Sequence, residues 1–228
     1  MKLSPDETRV LGVLIEKAIT TPDQYPLSIN GLTTGCNQKT NREPVTNFSE
    51  VEVQDLVDSL TKKNLVSEVR VGSRVAKYQH RFYGSDFSAF KFNTREASVI
   101  CTLFLRGPQT AGELRTRTNR LCEFEDVQHT EATLQSLVEY SGGPYVVKLE
   151  REPGRRENRY AHLFCGEAEG LDVADTEAAA PAPSSISSSS PEGEAASEQL
   201  EERIALLELI VEDLQAQINA LKIQGTQE

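Results

Sequence analysis

Apolar residues recur at helical spacing near the start of the chain, where Val10, Leu11, Leu14, Ile15 and Ala18 fall on one face. Ser4-Pro5-Asp6-Glu7 precedes that stripe with a capping serine, a proline suited to the first helical position and a glutamate that completes a capping box. The pattern therefore predicts a helix that ends near Thr20-Thr21-Pro22. Ser28 opens a shorter helix through Ile29 and Leu32. The polar run Cys36-Asn-Gln-Lys-Thr-Asn-Arg-Glu-Pro-Val45 is expected to be a loop, because Asn41 and Pro44 disfavour a continuing helix. A third helix follows from Ser49 or Glu50 to Lys63, with Val53, Leu56, Val57 and Leu60 inward and Ser49 and Glu52 as a capping pair. Leu65 to Val71 and Val75 to Phe82 then read as two strands joined at Gly72-Ser73, a β-hairpin.

The same order returns. Gly72 to Phe82 and Gly154 to Phe164 both fit Gly-x-Arg-x-x-(Lys/Arg)-Tyr-x-His-x-Phe, at an offset of 82 residues. Asn93, Glu96, Val99, Ile100, Leu103 and Phe104 repeat Ser4, Glu7, Val10, Leu11, Leu14 and Ile15 at an offset of 89, capping box included. Thr110 to Leu114 lies over Ser28 to Leu32 at 82, and Leu134 to Leu137 over Val57 to Leu60 at 77. Internal duplication explains these matches. Three helices followed by a hairpin is the order of a winged-helix domain, with a small α+β domain of another topology as the alternative. The expected fold is thus mainly α with small β-hairpins: two tandem winged-helix domains, at 1–84 and 85–165.

Beyond them, residues 166–197 pass through acidic, Ala/Pro and Ser-rich stretches with little to bury, the composition of a disordered linker. Its root-mean-square span would be about 30 Å. In residues 198–224, Leu200, Ile204, Leu207, Val211, Leu214, Ile218 and Leu221 alternate steps of four and three, a heptad seam. β-Branched residues at a with leucine at d favour a parallel dimer, and a single amphipathic helix folding back on the domains, or a trimer, is the alternative that Leu206 and Ile210 keep open.

The segment from Tyr25-Pro26-Leu27-Ser28 through Cys36 to Val45, with Ser49, Glu50, Glu52, Val53 and Gln54, resembles the YceH family of bacterial proteins, as does Arg151 to Tyr160. The resemblance covers about residues 3–168. It implies two tandem winged-helix domains and brings with it no activity, substrate or catalytic residue.

Charge changes the picture once it is divided. The formal net charge of -11 splits into +1 for residues 1–84, 0 for 85–165 and -12 for 166–228, so the acidity belongs to the tail. Cys36, Cys101, Cys122 and Cys165 are widely spaced, without a Cys-x-x-Cys pair, and no stretch approaches the roughly 20 apolar residues of a membrane span; a cytoplasmic location is expected. No spacing typical of zinc ligands, phosphate-binding glycine loop or nucleophile elbow occurs, so no catalytic residue, metal or cofactor is expected. His80 and His162 hold equivalent repeat positions and read as structural. The Cys36 thiol beside Lys39 and Arg42 reads as a small buried residue ending a helix rather than a reactive one.

Winged-helix proteins ordinarily place the third helix in the major groove. Here that helix carries Glu50, Glu52, Asp55 and Asp58, and Glu123, Glu125, Asp126 and Glu131 surround its counterpart, so phosphates would repel it. Positive charge lies instead at Arg70, Arg74 and Lys77, at Arg151, Arg155, Arg156 and Arg159, and at Arg115, Arg117 and Arg120. The candidate nucleic-acid contacts are Arg74, Lys77, Arg155, Arg156, Arg159, Lys39 and Arg42, which would give salt-sensitive and largely sequence-independent binding. The expectation is a non-enzymatic, dimeric regulatory protein touching DNA through its hairpins. The alternative is a protein-interaction scaffold that binds no DNA.

Overall fold

The computed structural model describes residues 2–70 and 75–166, so Arg74 and the linker and heptad segments lie outside the described residues. Within them the chain is mixed α+β, with six α-helices and small antiparallel sheets. The first copy runs α1 (Pro5–Thr20), α2 (Ile29–Cys36), α3 (Glu50–Lys62), β1 (Val66–Val69) and β2 (Lys77–His80). The second runs α4 (Thr94–Arg106), β3 (Gln109–Thr110), α5 (Ala111–Arg117), α6 (Val127–Val138), β4 (Val146–Lys148) and β5 (Arg159–His162).

The helix starts follow from their caps. Ser4 Oγ accepts from the Glu7 N–H at 3.1 Å while the Glu7 carboxylate accepts from the Ser4 N–H at 2.7 Å. The same reciprocal pair forms between Ser49 and Glu52, Asn93 and Glu96, and Thr110 and Glu113. Each pair satisfies two backbone donors that the first helical turn leaves open. The strands are shorter than the apolar runs suggest. β1 and β2 pair antiparallel from Val66 opposite His80 to Val69 opposite Lys77, so the ladder ends before Phe82. Phe82 is instead drawn fully into the core.

The duplication extends to pairings that no local pattern shows. Gln109 pairs with Tyr160 and makes β3 the third strand of a sheet ordered β3-β5-β4. At the equivalent place in the first copy, Leu27 bridges Tyr78 through two backbone hydrogen bonds of 3.1 and 2.7 Å.

One apolar core runs through both copies. α1 packs along α4, and Gly12 sits where the two helices approach: a β-carbon there would lie 3.0 Å from Leu105 Cδ2 and 3.1 Å from Phe104 Cβ. The Cys101 thiol donates to the Gly12 carbonyl at 3.3 Å. Gly12 and Cys101 are equivalent positions of the repeat, and so are Phe82 and Phe164, whose rings lie 5.6 Å apart. Equivalent residues meeting one another is the signature of a two-fold, isologous contact, here between halves of one chain. Phe92 and Phe104 also stand against Phe82, at 5.6 and 5.8 Å. Tilted and edge-to-face pairs of this kind each contribute about 1 kcal/mol beyond their area.

Candidate nucleic-acid interface

The second hairpin turns at Gly154, whose φ of 81 lies in the left-handed region that glycine adopts without cost. Arg155 and Arg156 follow it and are exposed. Arg155 Nε lies 3.4 Å from Glu152, which also faces Arg159 at 3.8 Å, so one carboxylate is shared between two guanidinium groups. Arg159 is half-buried at the start of β5. Arg156 carries no ion pair among the described residues and lines a cleft with Lys148, Asn158 and Tyr160, into which Glu131 and Glu157 also face. Such solvent-accessible pairs are worth little. On the first hairpin Lys77 is exposed, and Arg70 donates to Glu68.

Behind the arginines the strand faces inward. Tyr78 and Phe82 are buried, as is Phe164. His80 stacks on Tyr83 at 5.4 Å with planes 7° apart, and His162 meets Phe104 edge-on at 4.9 Å. Burial holds both imidazoles down to about 4, so both are neutral at physiological pH and supply no cation. Their structural reading agrees with this placement.

The structure divides Lys39 from Arg42. Lys39 is exposed, whereas the Arg42 side chain is fully enclosed. Its two terminal nitrogens donate to the Glu16 carboxylate at 3.2 and 2.7 Å. Nε donates to the Gly35 carbonyl at 3.0 Å, and the remaining donors reach the Asn41 carbonyl and Gln38 Oε1, both at 2.9 Å. All five guanidinium N–H donors are spent inside the protein, so Arg42 is withdrawn from the set available to a polyanion. Glu16 feels burial, which raises a carboxyl, but Arg42 and Lys17 outweigh it and hold the group below its ordinary range.

Arg42 belongs to the amide-rich loop, whose composition has a structural explanation. Asn37 both donates to and accepts from the Phe48 backbone at 2.8 Å, and Arg9 donates to the Pro44 carbonyl at 2.7 Å. The loop reaches the second copy through the Glu43 N–H on the Leu105 carbonyl, at 2.8 Å, and through Asn41 Oδ1, which accepts from Arg106 at 2.5 Å. Cys36 is buried at its start, its thiol pushed up to about 12 mainly by burial, which leaves it unreactive near neutrality.

Both third helices begin acidic and exposed. Glu50, Glu52, Asp55 and Asp58 stand on α3, and Glu125, Asp126 and Glu131 at and just before the start of α6. On α5, Arg115 is exposed and Arg117 pairs with Glu113 at 3.3 Å, and Arg120 is exposed in the turn that follows the helix. Arg106 adjoins them, a cation at the end of α4 that the sequence alone did not single out. No helix among the described residues is long and apolar enough to cross a membrane.

These features define a duplicated α+β protein whose halves share a core and whose cations gather on a hairpin and at helix ends. Residues 3–155 match the family described as "Protein of unknown function, DUF480", and the chain belongs to that family. It is 60% identical over 225 residues to a UPF0502 protein of Saccharophagus degradans, covering 97% of both chains. A UPF0502 protein of Vibrio cholerae serotype O1 is 60% identical over 170 residues, 74% of this chain and 79% of the relative. One from Aeromonas hydrophila is 52% identical over 213 residues, 93% of this chain and 96% of the relative.

Proposed function

We propose that this chain is a non-enzymatic regulatory protein whose two repeats are winged-helix units and which contacts nucleic acid through the hairpins, chiefly the second. The observation that carries the reading is the exposure of Arg155 and Arg156 at the Gly154 turn, opposed to the acidic, exposed starts of α3 and α6. A polyanion is attracted to the first surface and repelled by the second. The helix-helix-helix-hairpin order of each copy supports the winged-helix assignment. Backbone contact of this kind is salt-sensitive and carries little sequence information.

The test is fluorescence-anisotropy titration of a labelled duplex with the full chain at low and moderate salt, beside Arg155→Glu/Arg156→Glu. Saturable binding that weakens steeply with salt, and at least tenfold with the charge reversal, is expected. Absence of binding at low salt, or indifference to the reversal, eliminates the hairpin reading. The second reading, a protein-interaction scaffold, draws on Val51, an aliphatic residue 71% exposed between Glu50 and Glu52. The heptad segment adds self-association to either reading. Sedimentation of the chain with and without residues 198–228 checks it, since a monomer in both removes the dimer.

A further inference from the structure

The loop of the first copy and two helix ends of the second enclose a cleft of about 600 Å³. Arg106, Arg117 and Arg120 line it, together with Thr40, Asn41 and Asn119. No carboxylate lies in its wall, so the lining carries a formal charge of +3. Acids act on the arginines from outside that lining: Glu113 pairs with Arg117 at 3.3 Å, and Glu43 and Glu113 both favour the charged form of Arg106, whereas Glu16, in the adjoining deeper recess, is held by Arg42 at 2.7 Å. Arg120 has no ion-pair partner among the described residues, and Arg106 Nε is buried with no hydrogen-bond partner. Arg106 and Arg117 also repel each other: after burial, the Arg117 cation is the next cause holding the Arg106 guanidinium below its ordinary range.

Helix C-termini attract single cations, but a dipole at the end of α4 or α5 accounts for one arginine each and not for three facing a common space. Guanidinium groups converging with amide and hydroxyl side chains, one of them without an ion-pair partner, are what an oxyanion requires, since planar N–H forks match its oxygens and the charge-assisted bonds are about twice as strong as neutral ones. The volume lies within the range of small-molecule sites and exceeds a lone phosphate.

We propose that this cleft binds a compact polyphosphate-type anion, with Arg106, Arg117 and Arg120 taking the phosphoryl oxygens and Asn119 and Thr40 supplying neutral donors. Asn41 positions Arg106 from the loop, through the 2.5 Å hydrogen bond, and the backbone there adopts φ 63, a left-handed conformation that asparagine tolerates well. The Cys36 to Val45 segment therefore has a second purpose beside joining the copies: it builds one wall of the site. The site is separate from the second hairpin and stands whether or not that hairpin touches DNA.

The experiment is isothermal titration of the full chain with inorganic pyrophosphate at fixed ionic strength, on the native sequence, Arg120→Gln, Arg117→Gln and Arg155→Glu/Arg156→Glu. Saturable binding at one site per chain is expected. It should weaken at least tenfold in each of the first two variants and stay within twofold in the hairpin variant. Because Arg120 is exposed, its variant should keep the native melting temperature, which separates loss of binding from loss of fold. No saturable heat with pyrophosphate, or equal affinity in native and Arg120→Gln chains, overturns the site. A labelled single-stranded oligonucleotide identifies the source of the phosphate. Displacement by pyrophosphate together with sensitivity to Arg120→Gln assigns the site to a nucleic-acid strand, and indifference to both assigns it to a free phosphate ligand.

Discussion

Ser59 donates its hydroxyl to Glu7 Oε1 at 2.7 Å, linking α3 to the capping box that starts α1. The second copy repeats the contact with Ser136 and Glu96 at 3.0 Å. In each copy one glutamate caps its own helix and holds the third helix against the first. Among the described residues a cation joins in the first copy alone, Lys63 at 2.6 Å.

Replacing Glu7 by Gln should destabilise the protein by about 1–3 kcal/mol, because a charged, partly buried hydrogen-bond network is lost. Burial raises the Glu7 carboxyl, but Lys63, Ser59 and the Ser4 N–H together hold it below its ordinary range. A folded-state value below the unfolded one gives stability that is present above the unfolded carboxyl range and lost as pH falls through the folded one. A double-mutant cycle with Ser59→Ala, followed by urea unfolding, should show a coupling of about 0.5 kcal/mol or more. Additive single effects would mean that the two side chains act independently.

Arg42→Met should cost about 3–5 kcal/mol, since it leaves Glu16 charged and buried without its partner. The double variant Arg42→Met/Glu16→Met should recover much of that loss, which thermal unfolding of the three proteins will reveal. Recovery identifies the pair as an arrangement of the loop rather than the origin of its stability.

Gly12→Val should destabilise by about 1–3 kcal/mol through overpacking of the α1–α4 crossing, a cost that exceeds any gain in helix propensity. Gly112→Ala is the control. A β-carbon there has no neighbour closer than 3.8 Å, so denaturation midpoints should move little.

His80 and His162 make stability depend on pH in a window of their own. Both are held down to about 4 by burial, so the unfolded chain binds protons that the folded chain refuses between its value and the unfolded value of about 6.5. Stability is full above about 6.5 and falls as pH drops toward 4. The loss is on the order of 3 kcal/mol for each histidine. In His80→Gln/His162→Gln the denaturant midpoint should be flatter across that window, and an unchanged slope would place the sensitivity elsewhere.

Much of the candidate interface was legible from residue type and position. Gly154, the two arginines after it and the inward Tyr, His and Phe of the strand follow from alternation and turn chemistry, which are local. Arg42 is buried, against its local pattern, for the opposite reason. An arginine in a polar loop has the pattern of a solvated residue, and its burial depends on Glu16, 26 positions earlier and visible only once α1 and the loop are side by side. Arg106 carries no such signal, because a cation in the last turn of a helix has a sufficient local explanation.

Sequence alone determined the capping boxes at Ser4, Ser49 and Asn93, the extents of the first and third helices and the duplication with its three offsets, because each rests on residues within a turn or two of one another or on direct comparison of the copies. Tertiary structure decided how those copies combine: Gly12 against Cys101, Phe82 against Phe164, and a loop of one half closing on the helix ends of the other. Hydrophobic periodicity states which face is buried but not what buries it. The cationic cleft takes its three arginines from the second half and Thr40 and Asn41 from the first, and only the meeting of the two halves gives it both walls.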